Sequence, residues 1–132
     1  MTQKQLDESV EYLKKRGFET PEIGIVLGTG LGQLIDSIEN PIEAHYNHIP
    51  YFPLATVEFH TGKLIYGTIE GKKAVVMHGR FHLYEGYDFL DITYPIRVMH
   101  QLGITQLFVS NAAGAINLNF KKGDIMLIED HI

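Results

Sequence analysis

Leu6, Val10 and Leu13 recur at the three- and four-residue spacing that lines one face of a helix, and Gly17 stands where such a helix would stop. This spacing predicts an amphipathic helix over residues 3–16. Ile23-Gly24-Ile25-Val26-Leu27 is apolar throughout and rich in β-branched residues, the composition of a parallel strand covered on both faces. Gly28-Thr29-Gly30-Leu31-Gly32 follows, and Leu34, Ile35 and Ile38 then return to helical spacing. That order predicts a buried strand, a glycine turn and a helix.

Residues 40–62 keep no period, because Pro41, Pro50 and Pro53 interrupt them and His45, His48 and His60 are scattered among them. Residues 63–69 alternate as a strand should, Glu70-Gly71-Lys72 has the chemistry of a hairpin turn, and residues 74–77 supply the returning strand. A polar-aromatic loop over residues 79–86 leads into a helix over residues 89–102, with a kink expected at Pro95 and a stop at Gly103. Residues 106–110 read as another buried strand. Asn111-Ala112-Ala113-Gly114-Ala115 reads as a turn of small residues, and residues 125–128 as a last strand. Residues 124–129 have the character of an interior strand with nothing after them to cover it. The expectation is a single α/β domain over residues 1–132 that forms the N-terminal part of a larger one.

Composition narrows the field. With 132 residues, 45% of them apolar and 20% charged, the chain suits one globular domain. Its 11 basic and 16 acidic residues leave a net charge of −5 and no Lys/Arg block, which argues against nucleic acid as a partner. No apolar run approaches the roughly 20 residues of a membrane helix. The polar N-terminus is not a secretory signal. Without cysteine there is neither a disulfide framework nor a thiolate metal site. A soluble cytoplasmic protein is expected.

Three stretches could carry chemistry. In the first, residues 28–32, glycines let backbone pass close to a ligand, the first amides of the following helix are free donors, and Thr29 adds a hydroxyl; together these favour an anion such as phosphate. No Lys follows the last glycine, so it is not a P-loop, and a ligand-free strand-to-helix turn fits these residues equally well. The second, Gly79-Arg80-Phe81-His82-Leu83-Tyr84-Glu85-Gly86, sets a guanidinium, an imidazole, a phenol and a carboxylate at the end of an apolar strand. Arg80 can clamp phosphate oxygens in a fork, His82 can add a donor, and Tyr84 offers a flat face to a sugar or base. The alternative is a surface loop in which Arg80 and Glu85 pair. In the third, residues 110–115, small side chains leave room for a ligand against bare backbone, or simply for close packing. The seven histidines include His78 and His82 four apart, but no His-Glu-x-x-His pattern exists and no metal site is expected. A serine-hydrolase elbow is also missing.

Taken together, these segments resemble the trimeric class of purine nucleoside phosphorylases. The carriers are Gly28-Thr29-Gly30-Leu31-Gly32, Ile49-Pro50-Tyr51-Phe52-Pro53, Thr56-Val57 with His60 and Gly62, residues 79–87, Tyr94-Pro95-Ile96-Arg97-Val98, Ser110-Asn111-Ala112-Ala113-Gly114 and residues 123–128. The resemblance runs nearly the whole length of the chain, and the order of the segments is more specific than any one of them. It implies a three-layer αβα fold on a central mixed β-sheet, of the phosphorylase/hydrolase-like kind, present here in part.

The implied activity is phosphorolysis of purine (2′-deoxy)ribonucleosides to free base and (deoxy)ribose 1-phosphate, in purine salvage. It needs no organic cofactor or metal, its partners are nucleoside and phosphate, and the full-length enzyme is a homotrimer. Thr29, His60, Arg80, Phe81, His82 and Ala112 would bind phosphate, with Arg80 and His82 also catalytic. Tyr84 would bind ribose, and Ala112, Ala113 and Gly114 would lie against the base. Thr29 stands where the family usually has Ser, Phe59 and Thr61 flank His60 where Gly and Ala are usual, and His78 and Ala115 replace a common Gln and Gly. The family's base-reading carboxylate and amide have no counterpart in these 132 residues, so this stretch alone is expected to be inactive. A methylthioadenosine phosphorylase of the same fold and a phosphate-binding module without base recognition are the competing readings. Residues 81–86 favour the purine nucleoside branch over the first of these.

Overall fold

The structure is a computed structural model, and it describes residues 1–54 and 62–132. It opens with helix α1, Gln3–Lys15. A reciprocal capping box starts the helix: the Gln5 amide donates to Thr2 Oγ1 (3.2 Å) and the Thr2 amide to Gln5 Oε1 (2.8 Å). Lys14 and Lys15 sit in its last turn, where the helix dipole favours positive charge. The chain reverses at Gly17 (φ 102°) and drives Phe18 into the core against Tyr66.

Five strands follow: β1 Ile23–Val26, β2 Glu39–His45, β3 Lys63–Ile69, β4 Lys72–His78 and β5 Gln106–Val109. They form one mixed sheet in the order β2-β3-β4-β1-β5. β1 is parallel to both β4 and β5, whereas β2-β3 and β3-β4 are antiparallel. The β3-β4 hairpin turns on Glu70 (φ 48°) and Gly71 (φ 77°), the two positive-φ positions of a type I′ turn.

Alternation along the strands sends side chains to two faces. Val26, Leu64, Tyr66, Val75 and Met77 pack on α1 and on helix α2, Phe89–Leu102. Ile65 and Val76 point the other way, onto Leu27 and Ile38, with Leu34 and Ile35 alongside. The two helices are joined through a buried polar knot: Ser9 Oγ and the Tyr94 hydroxyl share a hydrogen bond (2.7 Å), with the Pro50 carbonyl 2.6 Å from Ser9 Oγ and the Gln5 carbonyl 3.0 Å from the Tyr94 hydroxyl. Each buried hydroxyl is thereby satisfied. The layers are thus a helix pair, the mixed sheet and, on the far face, a short 3₁₀ segment.

Three expectations need correction. The segment after the glycine turn, Gly32–Ser37, is a 3₁₀ helix and not an α-helix. It closes with i+3 bonds from Leu34 to Leu31 and from Ile38 to Ile35, and the chain must re-enter the sheet at Glu39, so no α-helix can propagate. The argument from free amides at a helix start therefore falls away for Thr29. Second, β5 is not buried: Phe108 is 57% and Val109 63% exposed, because only β1 pairs with it among the described residues. Third, residues 125–128 are exposed and form no strand. Strand β2, in a stretch that keeps no sequence period, contains a register shift between Glu39 and Ile42, with Asn40 at φ 50° and Pro41 inside it. Bulge and proline fit its place at the sheet edge.

Candidate active site

Because β4, β1 and β5 are parallel neighbours, the loops that leave their carboxyl ends emerge along one edge of the sheet. That edge is where ligands bind in open α/β sheets. A cavity of about 460 Å³ opens there, lined by Gly28, Thr29 and Gly30 after β1 and by the loop from His78 to Tyr87 after β4. Tyr46 and Gly62 close its wall.

Tyr46 shapes that wall. Its hydroxyl donates to the Gly79 carbonyl (2.7 Å), and its ring packs on Phe52 and Phe81. Burial pushes its phenol well above the ordinary tyrosine range. A Cβ at Gly62 would fall 2.2 Å from this ring, so only glycine fits there. Gly79 has φ 105°, which turns the chain sharply out of β4 and presents Arg80 at the mouth.

Arg80 does not pair with Glu85. Its Nη1 donates to the Ser110 carbonyl (2.8 Å), across the end of β1. Glu85 instead holds His82, with His82 Nδ1 and Glu85 Oε1 2.5 Å apart. A carboxylate acceptor at Nδ1 leaves Nε2 for another partner. Tyr84 stacks on the His82 ring at 4.8 Å between centroids and is 84% exposed. Phe81 points inward, edge-on to Tyr87 and against Tyr46, so its side chain belongs to the core and only its backbone can meet an anion.

Thr29, Arg80, Phe81, His82 and Tyr84 line one cavity. Ala112, Ala113 and Gly114 do not line it; beyond Ser110 the chain is exposed. His60 lies outside the described residues. Sequence reasoning missed Tyr46, whose part depends on a tertiary contact, and the Ser110 hydroxyl, read only as one of a run of small residues. Glycine was the available signal: Gly62 and Gly79 lie against the Tyr46 ring, and Gly28 lies against Ser110. Among the described residues no three His, Asp or Glu side chains gather around a possible metal ion.

A mixed sheet with a cavity at the carboxyl ends of its parallel strands defines the class: an α/β protein of the open-sheet kind. Residues 22–132 match the family model of the phosphorylase superfamily, and the chain belongs to that family. It is 50% identical, over its whole length, to 48% of purine nucleoside phosphorylase 1 of Geobacillus stearothermophilus. It is 44% identical to purine nucleoside phosphorylase of Rattus norvegicus, where 99% of the chain covers 45% of the relative. Among solved structures it is similar to isoform 2 of purine nucleoside phosphorylase from Schistosoma mansoni in complex with cytosine and ribose-1-phosphate. The TM-score there is 0.88 at 43% identity, over 93% of this chain and 43% of that one. The chain spans about half the length of the relatives it matches.

Proposed function

We propose that this chain carries the phosphate- and ribose-binding part of a purine nucleoside phosphorylase. The observation that carries the reading is the convergence of Thr29, Arg80, His82 and Tyr84, from loops far apart in sequence, on one cavity. The similarity to a phosphorylase crystallised with ribose-1-phosphate supports a sugar phosphate as the ligand class.

In this reading Arg80 and Thr29 grip the phosphate, and His82, oriented by Glu85, adds a donor. His60 and the Phe81 amide add to the phosphate shell, and Tyr84 faces the ribose. As the bond from C1′ to the purine nitrogen breaks, its electron pair leaves with the base and C1′ acquires oxocarbenium character. A phosphate oxygen held beside C1′ stabilises that charge and then donates the pair that forms ribose 1-phosphate, and the proton that hydrogenphosphate gives up balances the one the departing base takes up. The protein supplies position and preorganised charge, with no cofactor or metal in the scheme. The whole protein would act in purine salvage, in the cytoplasm, as a homotrimer.

Titration calorimetry with inorganic phosphate tests this reading. The chain is expected to bind phosphate and to turn over no inosine. Arg80→Ala is expected to cost about 1.5–3 kcal/mol of phosphate affinity, the range of a hydrogen bond to a charged group. An unchanged affinity in that variant would remove Arg80 from the site and the reading with it.

A further inference from the structure

We propose that Ser110 is a positioning residue of this cavity: its hydroxyl fixes the glycine loop after β1 while its carbonyl fixes the Arg80 guanidinium, so the two anion-gripping elements keep one spacing. This deepens the function proposed above and rests on it only for the identity of the anion.

Ser110 directly follows β5 and is half-buried. The Gly28 amide donates to its Oγ at 2.9 Å. That same hydroxyl donates to the Val26 carbonyl at 3.3 Å, and so does the Ser110 amide, also at 3.3 Å. Its carbonyl receives Arg80 Nη1 at 2.8 Å. The amide, the hydroxyl proton and the carbonyl are thus all engaged, and neither donor of Ser110 is left for a ligand. Ser110 acts through its neighbours and not by touching substrate.

The local packing has been shaped around this contact. A Cβ at Gly28 would fall 2.6 Å from the Ser110 carbonyl oxygen and 3.1 Å from the Asn111 Cα, so the close approach demands glycine on the other side. Since β1 lies between β4 and β5, the guanidinium crosses the end of β1 to reach Ser110, and the glycine loop leaves from beneath it. Arginine carries five N–H donors in a rigid fork, and one held by a carbonyl leaves the rest for an anion. A long side chain already held in place loses less freedom when the anion arrives.

Ser110→Thr and Ser110→Val differ only in a hydroxyl against a methyl, and they isolate the proposed role; Ser110→Ala replaces the Val variant if that one fails to fold. Two readouts are needed. In ¹⁵N spectra, the Arg80 guanidinium of the wild-type chain and of Ser110→Thr should show resolved, restrained N–H resonances, which average out in Ser110→Val. For inorganic phosphate, Ser110→Val should weaken binding about fivefold, the worth of one hydrogen bond, with Ser110→Thr close to wild type. In an Arg80→Lys background the same change should cost less, because only the part that runs through the glycine loop remains. Equal losses in both backgrounds, or Arg80 resonances that ignore the hydroxyl, would overturn the proposal. A wild-type chain that binds no phosphate would sink the functional reading alone, and the Arg80 resonances would still decide the role of Ser110.

Discussion

β4 and β5 flank the same strand, run parallel to it and are both apolar, yet they end in opposite circumstances. Val75 and Val76 of β4 are fully buried, whereas Phe108 and Val109 of β5 are more than half exposed. β4 has β3 on its other side and side chains packed on both faces. β5 has neither among the described residues. Their loops differ in the same way: the one after β4 is drawn in by Tyr46, Phe81 and Tyr87, and the one after β5 is open beyond Ser110. An apolar strand records the neighbours it is made for, and its burial depends on their being there.

The largest effect that would sharpen the contrast comes from the packed side. Phe18 is fully buried and packed against the tilted ring of Tyr66, so Phe18→Ala should destabilise the chain by about 3–5 kcal/mol, read from urea unfolding. A loss near zero would mean that the core around α1 is not the one described.

An intermediate effect is expected at Tyr46. Its phenol is raised by burial, so the folded state keeps the proton after the unfolded chain releases it. Its contribution is fully present below the ordinary tyrosine pKa of about 10 and is lost as pH rises above it, by about 1.4 kcal/mol per pH unit. Tyr46→Phe should flatten the alkaline limb of a stability-against-pH curve. It should not abolish the limb, because Tyr94 is also raised, chiefly by desolvation, with its bond to Ser9 opposing the shift. At neutral pH the same variant should cost about 1 kcal/mol for the lost bond to Gly79. A steeper alkaline limb in the variant would break this account of the cavity wall.

The smallest effect belongs to β5. Phe108→Ala removes a side chain that is 57% exposed and should change stability by no more than about 0.5 kcal/mol. A loss as large as that of Phe18→Ala would erase the distinction between the two strands.

The elements legible in sequence are those whose period and ends agree. α1 has its apolar stripe and the Thr2–Gln5 box; α2 has Asp88 and Asp91 at its start and Gly103 at its stop, and runs through Pro95. The β3-β4 hairpin combines alternation with a Glu-Gly turn. β2 was illegible because the bulge around Pro41 shifts its register midway. Leu34, Ile35 and Ile38 misled because the three-residue spacing from Ile35 to Ile38 suits a 3₁₀ segment as well as an α-helix. β5 and residues 125–128 misled because an apolar run names the environment a segment requires and not the one it has. In the site, Arg80, His82, Tyr84 and Thr29 could be read from loops at strand ends. The Tyr46 wall and the Ser110 bridge could not, since both arise from residues brought together only by the fold.

Crystals grown in sulfate test the central claim most directly. The account predicts a sulfate within hydrogen-bonding distance of both the Thr29 hydroxyl and the Arg80 guanidinium, with Arg80 still bonded to the Ser110 carbonyl. A guanidinium directed into bulk solvent, remote from Thr29 and with no anion between them, would contradict it.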